Sequence, residues 1–345
     1  MGFFKPAGAV GLELDTGVVR VAEIKGTMRS FSLTALEEIT IPEHAVSEGV
    51  VMEVTPVAEA LDELWSKARI KKREVVLGIS NQGVLMRLAR FPKVPEKKLA
   101  RALRFHAGEY FPIPLSQLVL DHSVISEYNG ENGPELEVLL VAARRDFLDK
   151  SIQALTEASL KPVIIDASPL ALMRTLPEDQ LDASAALVDI SNGLTALLLI
   201  AGGFPRFARV VPLSLQTYAR EQRYPMDTVL EQAMSQVAST AESNDNAGNA
   251  QDDWAAALAG EIRSSISYYL AQPNAAPPDK LVLSGRGARF AGLPELLEAA
   301  LDLPVEIINP LARIKGQGGA NNISPEREYP DFAVSIGLAL RGLEA

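Results

Sequence analysis

The sequence predicts an α/β fold in two lobes, and three observations carry that prediction. A three-strand meander near the start recurs 176 residues later, with Glu13 opposite Asp189 and Gly17 opposite Gly193, the mark of a duplicated unit. Late in the chain, Gly285-Arg286-Gly287 forms a tight loop between a strand and a helix. The length of 345 residues, at about 100 to 200 per domain, suits two domains or one large lobed fold.

The first meander is read at Val10 to Leu14, Val18 to Lys25 and Ser30 to Ile41, short apolar runs separated by turn residues. A helix starts at Thr55, with Pro56 in its first turn and Val57, Leu61, Leu64 and Ala68 on one face; Val75 to Ile79 is a buried strand. A second unit follows: strand Gly83 to Arg90, a helix from Pro95 to about Tyr110, strands Val119 to Ser126 and Leu136 to Ala142, helix Arg145 to Ala158, and strand Val163 to Asp166. The helix from Pro95 stops at Phe111-Pro112-Ile113-Pro114, where two prolines forbid continuation.

The second meander is Ala185 to Ile190, Thr195 to Ile200 and Phe204 to Val211. Helices are expected at Ser214 to Gln222, Met226 to Thr240 and Trp254 to Ala271, with the polar run Glu242 to Asn249 read as a mobile loop. Strand Lys280 to Ser284, helix Leu293 to Leu301, strand Val305 to Ile308 and a helix from Asp331 to Arg341, ended by Gly342, complete the order.

Composition excludes several classes. Hydrophobic residues are 47% and charged residues 22%, close to the globular average. With no cysteine, disulfides, thiolate catalysis and cysteine-bound metals are excluded. His44, His106 and His122 lie 62 and 16 residues apart, outside the spacing of a helical metal site, and read as ordinary histidines. The apolar stretches Val138 to Ala143 and Ala196 to Phe204 are far short of the ~18 residues of a spanning helix, so a soluble protein is expected. The start has no apolar leader and Pro6 breaks a myristoylation pattern, so a cytoplasmic location is expected; Phe3 and Phe4 read as a loosely packed terminus, or as a contact with a membrane or partner.

Net charge is -11, unevenly spread: Lys67 to Arg104 holds twelve basic and two acidic residues, so this segment is +10 and the rest -21. It is a solvated lobe surface or a face for an acidic partner or anionic leaflet; nucleic acid is disfavoured, because neither a basic domain nor interleaved stacking aromatics are present.

Each meander begins with a strand ending in a carboxylate and a small polar hairpin, Glu13-Leu14-Asp15-Thr16-Gly17 and Asp189-Ile190-Ser191-Asn192-Gly193. Such hairpins offer backbone N–H groups to phosphate oxygens, and Glu13 and Asp189 could hold a hydrated Mg²⁺. They are also simply favourable hairpin corners. The loop Ser284 to Arg289 is no GxGxxG fingerprint, and no GxxxxGK[ST] occurs. The order of hairpin, inserted subdomain, hairpin, glycine loop and terminal helix points to the actin/Hsp70-like two-lobed fold, with a duplicated βββαβα core.

The chain resembles the PilM family of type IV pilus assembly, itself similar to the division protein FtsA. The resemblance covers nearly the whole sequence. It rests on Val10-Gly11-Leu12-Glu13, Arg104-Phe105 with Tyr110-Phe111-Pro112-Ile113-Pro114, Leu139 to Arg145, Leu160-Lys161-Pro162-Val163, Leu187-Val188-Asp189-Ile190, the Ser284 to Leu293 loop, and Ala333 to Arg341. It implies an FtsA-type inserted 1C subdomain at 84–165, subdomain 1A at 9–83, 166–186 and 330–345, 2A at 187–213 and 279–329, and 2B at 214–278. If nucleotide binding is retained, ATP with Mg²⁺ would meet Glu13, Asp15, Thr16, Gly17, Arg20, Asp189, Ser191, Asn192, Gly193, Thr195, Ser284, Gly285, Arg286, Gly287 and Arg289.

Three loops depart from the family pattern. Asp15 stands where the first phosphate hairpin has glycine, and Ser191 and Arg286 replace glycines of the second hairpin and the adenosine loop. A carboxylate about 4 Å from a phosphate would be repelled by roughly 4 kcal/mol at an effective dielectric near 20. The Glu-Ala-Glu-x-x-Lys segment used near adenine has no match around Asp227 to Gln232. Weak ATP binding and negligible turnover are expected, and no residue is assigned a catalytic role.

What the resemblance still implies is partner binding. PilM-like proteins hold the cytoplasmic N-terminus of the membrane protein PilN in a groove between the first lobe and the inserted subdomain, linking the pilus motor ATPase to the inner membrane. The candidates are Leu85, Arg87, Leu88, Phe105, Tyr110, Phe111 and Pro112. A scaffold peripheral to the inner membrane on its cytoplasmic side is expected; the rivals are an active ATPase cycling between open and closed lobes, and a sugar or acetate kinase of the same superfamily.

Overall fold

The computed structural model describes residues 8–27, 30–130, 133–223, 225, 226, 228, 245–273, 275–313 and 329–344. Two five-stranded sheets share one topology. In the first, β1 (Gly8–Asp15), β2 (Val18–Thr27) and β3 (Ser30–Thr40) form an antiparallel meander, which β6 (Glu74–Ile79) and β10 (Lys161–Ala167) continue in parallel, in the order β3-β2-β1-β6-β10. In the second, β11 (Ala185–Ile190), β12 (Thr195–Ala201) and β13 (Phe204–Val211) form the meander, with β14 (Lys280–Ser284) and β15 (Val305–Ile307), in the order β13-β12-β11-β14-β15. The duplication read from the hairpins is therefore a duplication of whole sheets.

Strands buried on both faces need cover on both. Helices α1 (Val54–Ala68) and α3 (Arg145–Glu157) cover one face of the first sheet: Val57, Leu61, Leu64 and Trp65 recur at helical spacing and pack with Leu148 and Leu155 against Leu12, Val19 and Val21. The far face of the second sheet carries α5 (Leu215–Gln222), α6 (Asp245–Leu270) and α7 (Leu293–Leu301), around Trp254, Leu258 and Leu297. Between the sheets lie α4 (Ser168–Thr175) and α8 (Ala333–Glu344), whose Leu172, Val334 and Leu338 share one core with Val76, Leu187, Leu198 and Val282. The fit there is backbone on backbone: a Cβ on Gly11 would lie 2.0 Å from the Ser335 carbonyl oxygen, and one on Gly337 2.0 Å from that of Ala171.

A third layer stands apart. β7 (Val84–Pro92), β9 (Gly133–Arg144) and β8 (Leu118–Gly130), in the order β7-β9-β8, are covered on one face by α2 (Glu96–Tyr110), and Leu99, Leu103 and Ala107 meet Phe91, Val138 and Leu140 in a core of their own.

Four expectations change. The strand expected to complete the inserted unit, Val163 to Asp166, is part of β10 and pairs with β6, and α3 packs on α1; the separate layer therefore spans 84–144 and not 84–165. Gly342 does not end the last helix, which runs to Glu344; it lies against Ala9, where a Cβ would come within 2.6 Å of the alanine's own. The helix expected from Trp254 begins at Asp245, inside the polar run read as a loop. Helix α4 and the small hairpin of β4 (Val46–Ser47) and β5 (Val50–Val51) had not been anticipated. Phe3, Phe4, residues 242–244, most of the helix expected at 226–240 and most of the segment 227–232 lie outside the described residues.

Candidate functional site

The two hairpins face each other across the lobes and touch. Asp15, at the end of β1, is the centre of the contact: its Oδ2 accepts the Asn192 backbone N–H at 2.9 Å, and its Oδ1 accepts those of Thr16 at 2.7 Å and Gly193 at 3.2 Å. The Asn192 side-chain amide donates to the Thr16 carbonyl at 2.8 Å. Thr16 and Asn192 are fully buried, and a Cβ on Gly193 would stand 2.1 Å from Thr16 Oγ1, so only glycine fits there. Gly17 turns the first hairpin with φ +75°.

Around this contact lies a buried ion network. One Arg20 nitrogen, Nη1, is 3.6 Å from Glu13 and 3.5 Å from Asp15, and Nε donates to Glu38 at 3.2 Å. Glu38 also accepts Arg286 from the glycine loop of the other lobe, at 2.8 and 3.0 Å. Burial opposes the Arg20 charge, but Glu13, Asp15 and Glu38 outweigh it and push the guanidinium up; burial and the nearby Arg20 push Arg286 down. Glu13 is raised well above the ordinary carboxylate value, first by burial and then by Asp189 and Asp15, against the pull of Arg20. Asp189 is also raised by burial, although Ser191 and Ser284 donate their hydroxyls to its two oxygens at 2.5 and 2.6 Å.

The raised Glu13 carboxyl gives a pH test. Folding is favoured by its protonated form, so that contribution is fully present below the unfolded value of 4.5 and is lost as pH rises through the higher folded value. Glu13→Gln, which keeps the shape without the charge, should therefore gain stability on the wild type as pH rises from about 5 to 8. Urea unfolding of both proteins checks this; a difference that does not change with pH contradicts it.

The remaining residues of the set are taken up by the chain itself. Thr195 is buried and donates to the Leu213 carbonyl at 2.5 Å. Gly285 (φ +79°) and Gly287 lean on Ile190, where a Cβ on either would come within 2.5 Å and 2.3 Å. Arg289 pairs with Asp331 at 3.3 Å. The groups that would meet a nucleotide phosphate with Mg²⁺ are engaged within the chain: the amides of the second hairpin hold Asp15, both Asp189 oxygens accept from serines, and Glu13 lies beside Arg20. Among the described residues no group of three or more His, Asp or Glu side chains could hold a metal ion.

The seven residues expected to hold a peptide do not line one groove. Phe111 is buried in the core between α2 and its sheet, Tyr110 is half-buried beside Phe91 at 6.1 Å between ring centroids, and Pro112 is exposed. Phe105 lies on the opposite, outer face of α2, 84% exposed, alongside the exposed Lys97, Lys98 and Arg101. Leu85 and Arg87 line a cavity of about 420 Å³ with Phe207 and Tyr268, and Leu88 borders a smaller one. Phe111→Ala should cost about 3 to 5 kcal/mol of stability as a core truncation, whereas Phe105→Ala should leave the thermal midpoint unchanged.

A larger groove, of about 660 Å³, lies between the inserted layer and the first lobe. Val119, Leu139 and Val141 of β8 and β9 form one wall, and Ile165, Leu170 and Met173 of β10 and α4 the other. Its polar end is built from Arg174, Arg313, Arg341 and Glu344, with Arg174 bonded to Asp166 at 2.7 Å and to Glu344 at 3.2 Å. Sequence reading missed these residues because they come from five separate segments. Val119 and Ile165 are apolar yet 40% and 36% exposed in the fold.

Comparison with known proteins agrees with this architecture. The solved PilM-PilN type IV pilus biogenesis complex has a chain 28% identical to this one, with a TM-score of 0.83 over 98% of this chain and 99% of that one. MreB5 of Spiroplasma citri, solved bound to AMPPNP, shares the fold at 12% identity, with a TM-score of 0.51 over 96% and 94%. Cell division protein FtsA of Bacillus subtilis (strain 168) is 20% identical over 247 residues, 64% of this chain; the match spans little more than half of FtsA's length, 56%. The fold is thus that of the actin-like ATPases. The family model for type IV pilus assembly protein PilM matches residues 11–343, and the chain belongs to that family.

Proposed function

We propose that this chain is a scaffold of the type IV pilus assembly machine that binds the N-terminal segment of a PilN-like partner in the 660 Å³ groove. The observation that carries the reading is the groove itself. Its walls carry Val119, Leu139, Val141, Ile165, Leu170 and Met173 together with Asp121, His122 and Ser123 of β8, one end is ionic, and it lies between the first lobe and the inserted layer. An extended peptide docks in such a slot by main-chain pairing and by burying alternate side chains. Each buried leucine contributes roughly 1.5 to 3 kcal/mol before ordering costs.

The relative solved with PilN supports the partner, and the same reading extends to a link with the pilus motor at the cytoplasmic face of the inner membrane. No helix among the described residues is long and apolar enough to cross a membrane, so in this reading the partner supplies the anchor. The nucleotide site is degenerate: ATP and Mg²⁺ would first have to displace Asp15 from the amides of the second hairpin. Calorimetry with the synthetic N-terminal peptide of the PilN-like partner tests the scaffold reading. Saturable one-to-one binding with a Kd on the order of micromolar is expected, and no binding at millimolar peptide overturns it.

A further inference from the structure

We propose that the facing hairpins form an anion site whose ligand is the chain's own Asp15 carboxylate, which takes the place of a nucleotide phosphate and holds the two lobes closed without nucleotide. The inference deepens the reading of a degenerate nucleotide site and rests on it.

Three backbone N–H groups, from hairpins 176 residues apart, converge on one carboxylate at 2.7, 2.9 and 3.2 Å. Successive amides turned toward one point make a cradle that suits phosphate or carboxylate alike. Here Asp15, 4% exposed, fills it from inside the fold. Hydrogen bonds to an ionised acceptor are about twice as strong as neutral ones, so two such bonds crossing between the lobes make a firm tie.

Two more ties cross the same cleft. Glu38 of the first sheet receives Arg286 of the second lobe, and the Gln216 side chain donates to Glu43 at 2.9 Å. Arg20, buried and 3.5 Å from Asp15, supplies the positive charge that keeps the carboxylate in place.

The test uses the full chain as wild type, Asp15→Gly and Asp15→Asn. Amide hydrogen exchange is read at Asn192 and Gly193, and Mg-ATP and inorganic phosphate are titrated by calorimetry. Wild type should give no saturable Mg-ATP binding and slow exchange at both amides. Asp15→Gly should speed exchange at both by about tenfold or more, and Mg-ATP or phosphate should bind and restore the protection. Asp15→Asn keeps the size and one acceptor oxygen, so a smaller acceleration is expected; it carries the test if the glycine variant does not fold. Tight Mg-ATP binding by wild type overturns the degenerate-site reading itself. Absence of Mg-ATP binding in wild type together with unchanged exchange in the folded Asp15 variants overturns the built-in ligand alone.

Discussion

Replacing Arg20 with alanine should destabilise the protein by about 3 to 5 kcal/mol, because removing one partner of a buried ion network strands the others. Arg20 is 1% exposed and is shared by Glu13, Asp15 and Glu38, at 3.6, 3.5 and 3.2 Å. Without it the buried Glu13 and Asp15 carboxylates lose the cation they share, while Glu38 keeps Arg286. Arg20→Lys should recover little, since a single ammonium cannot reach three acceptors that a planar guanidinium spans. Urea unfolding measures the loss; a change below about 1 kcal/mol would mean that the network is no stronger than an exposed pair.

Peptide binding should fall by about a hundredfold or more in Ile165→Glu. Ile165 lies on β10 in the groove wall and is 36% exposed, so the folded protein should tolerate the change within about 0.5 kcal/mol. The bound state should not, because the new carboxylate would be buried against apolar side chains beside Asp166. A hundredfold loss corresponds to about 2.8 kcal/mol. Phe105→Ala, on the outer face of α2, is the control and should bind like wild type. If calorimetry finds the two variants equal, the peptide does not lie in this groove.

The parts of the fold legible in the sequence were those set by local period and turn chemistry. The two meanders, α1, α2 and the Gly285 loop fall where their apolar spacing and glycines put them. Errors came where distant packing decides. Val163 to Asp166 has the same sequence neighbours whether it closes the inserted unit or joins β6, and only the parallel register with Val76 to Ile79 distinguishes the two. Gly342 looks like a helix stop, yet its missing side chain makes room for Ala9. At the site, the chemistry of Asp15 was half visible: a carboxylate among phosphate donors had to repel a nucleotide. That it would take the donors itself depends on Asn192 and Gly193 being brought to it. The aromatics around α2 show the limit most plainly, since Phe105 and Phe111 are six residues apart and one is 84% exposed and the other 4%.

The close seating of α8 on β1 has a consequence during synthesis. Gly11 touches Ser335, 324 residues further along the chain, and α8 lies on β1, β2 and β6 of the first sheet. At roughly 5 to 20 residues per second, β1 leaves the ribosome some 15 to 65 seconds before α8 does. Until then Ala22, Ile24 and Leu33 lack the helix that covers them in the fold. The twelve residues of α8 can therefore take their place on the first sheet only after the strands of both sheets have been made.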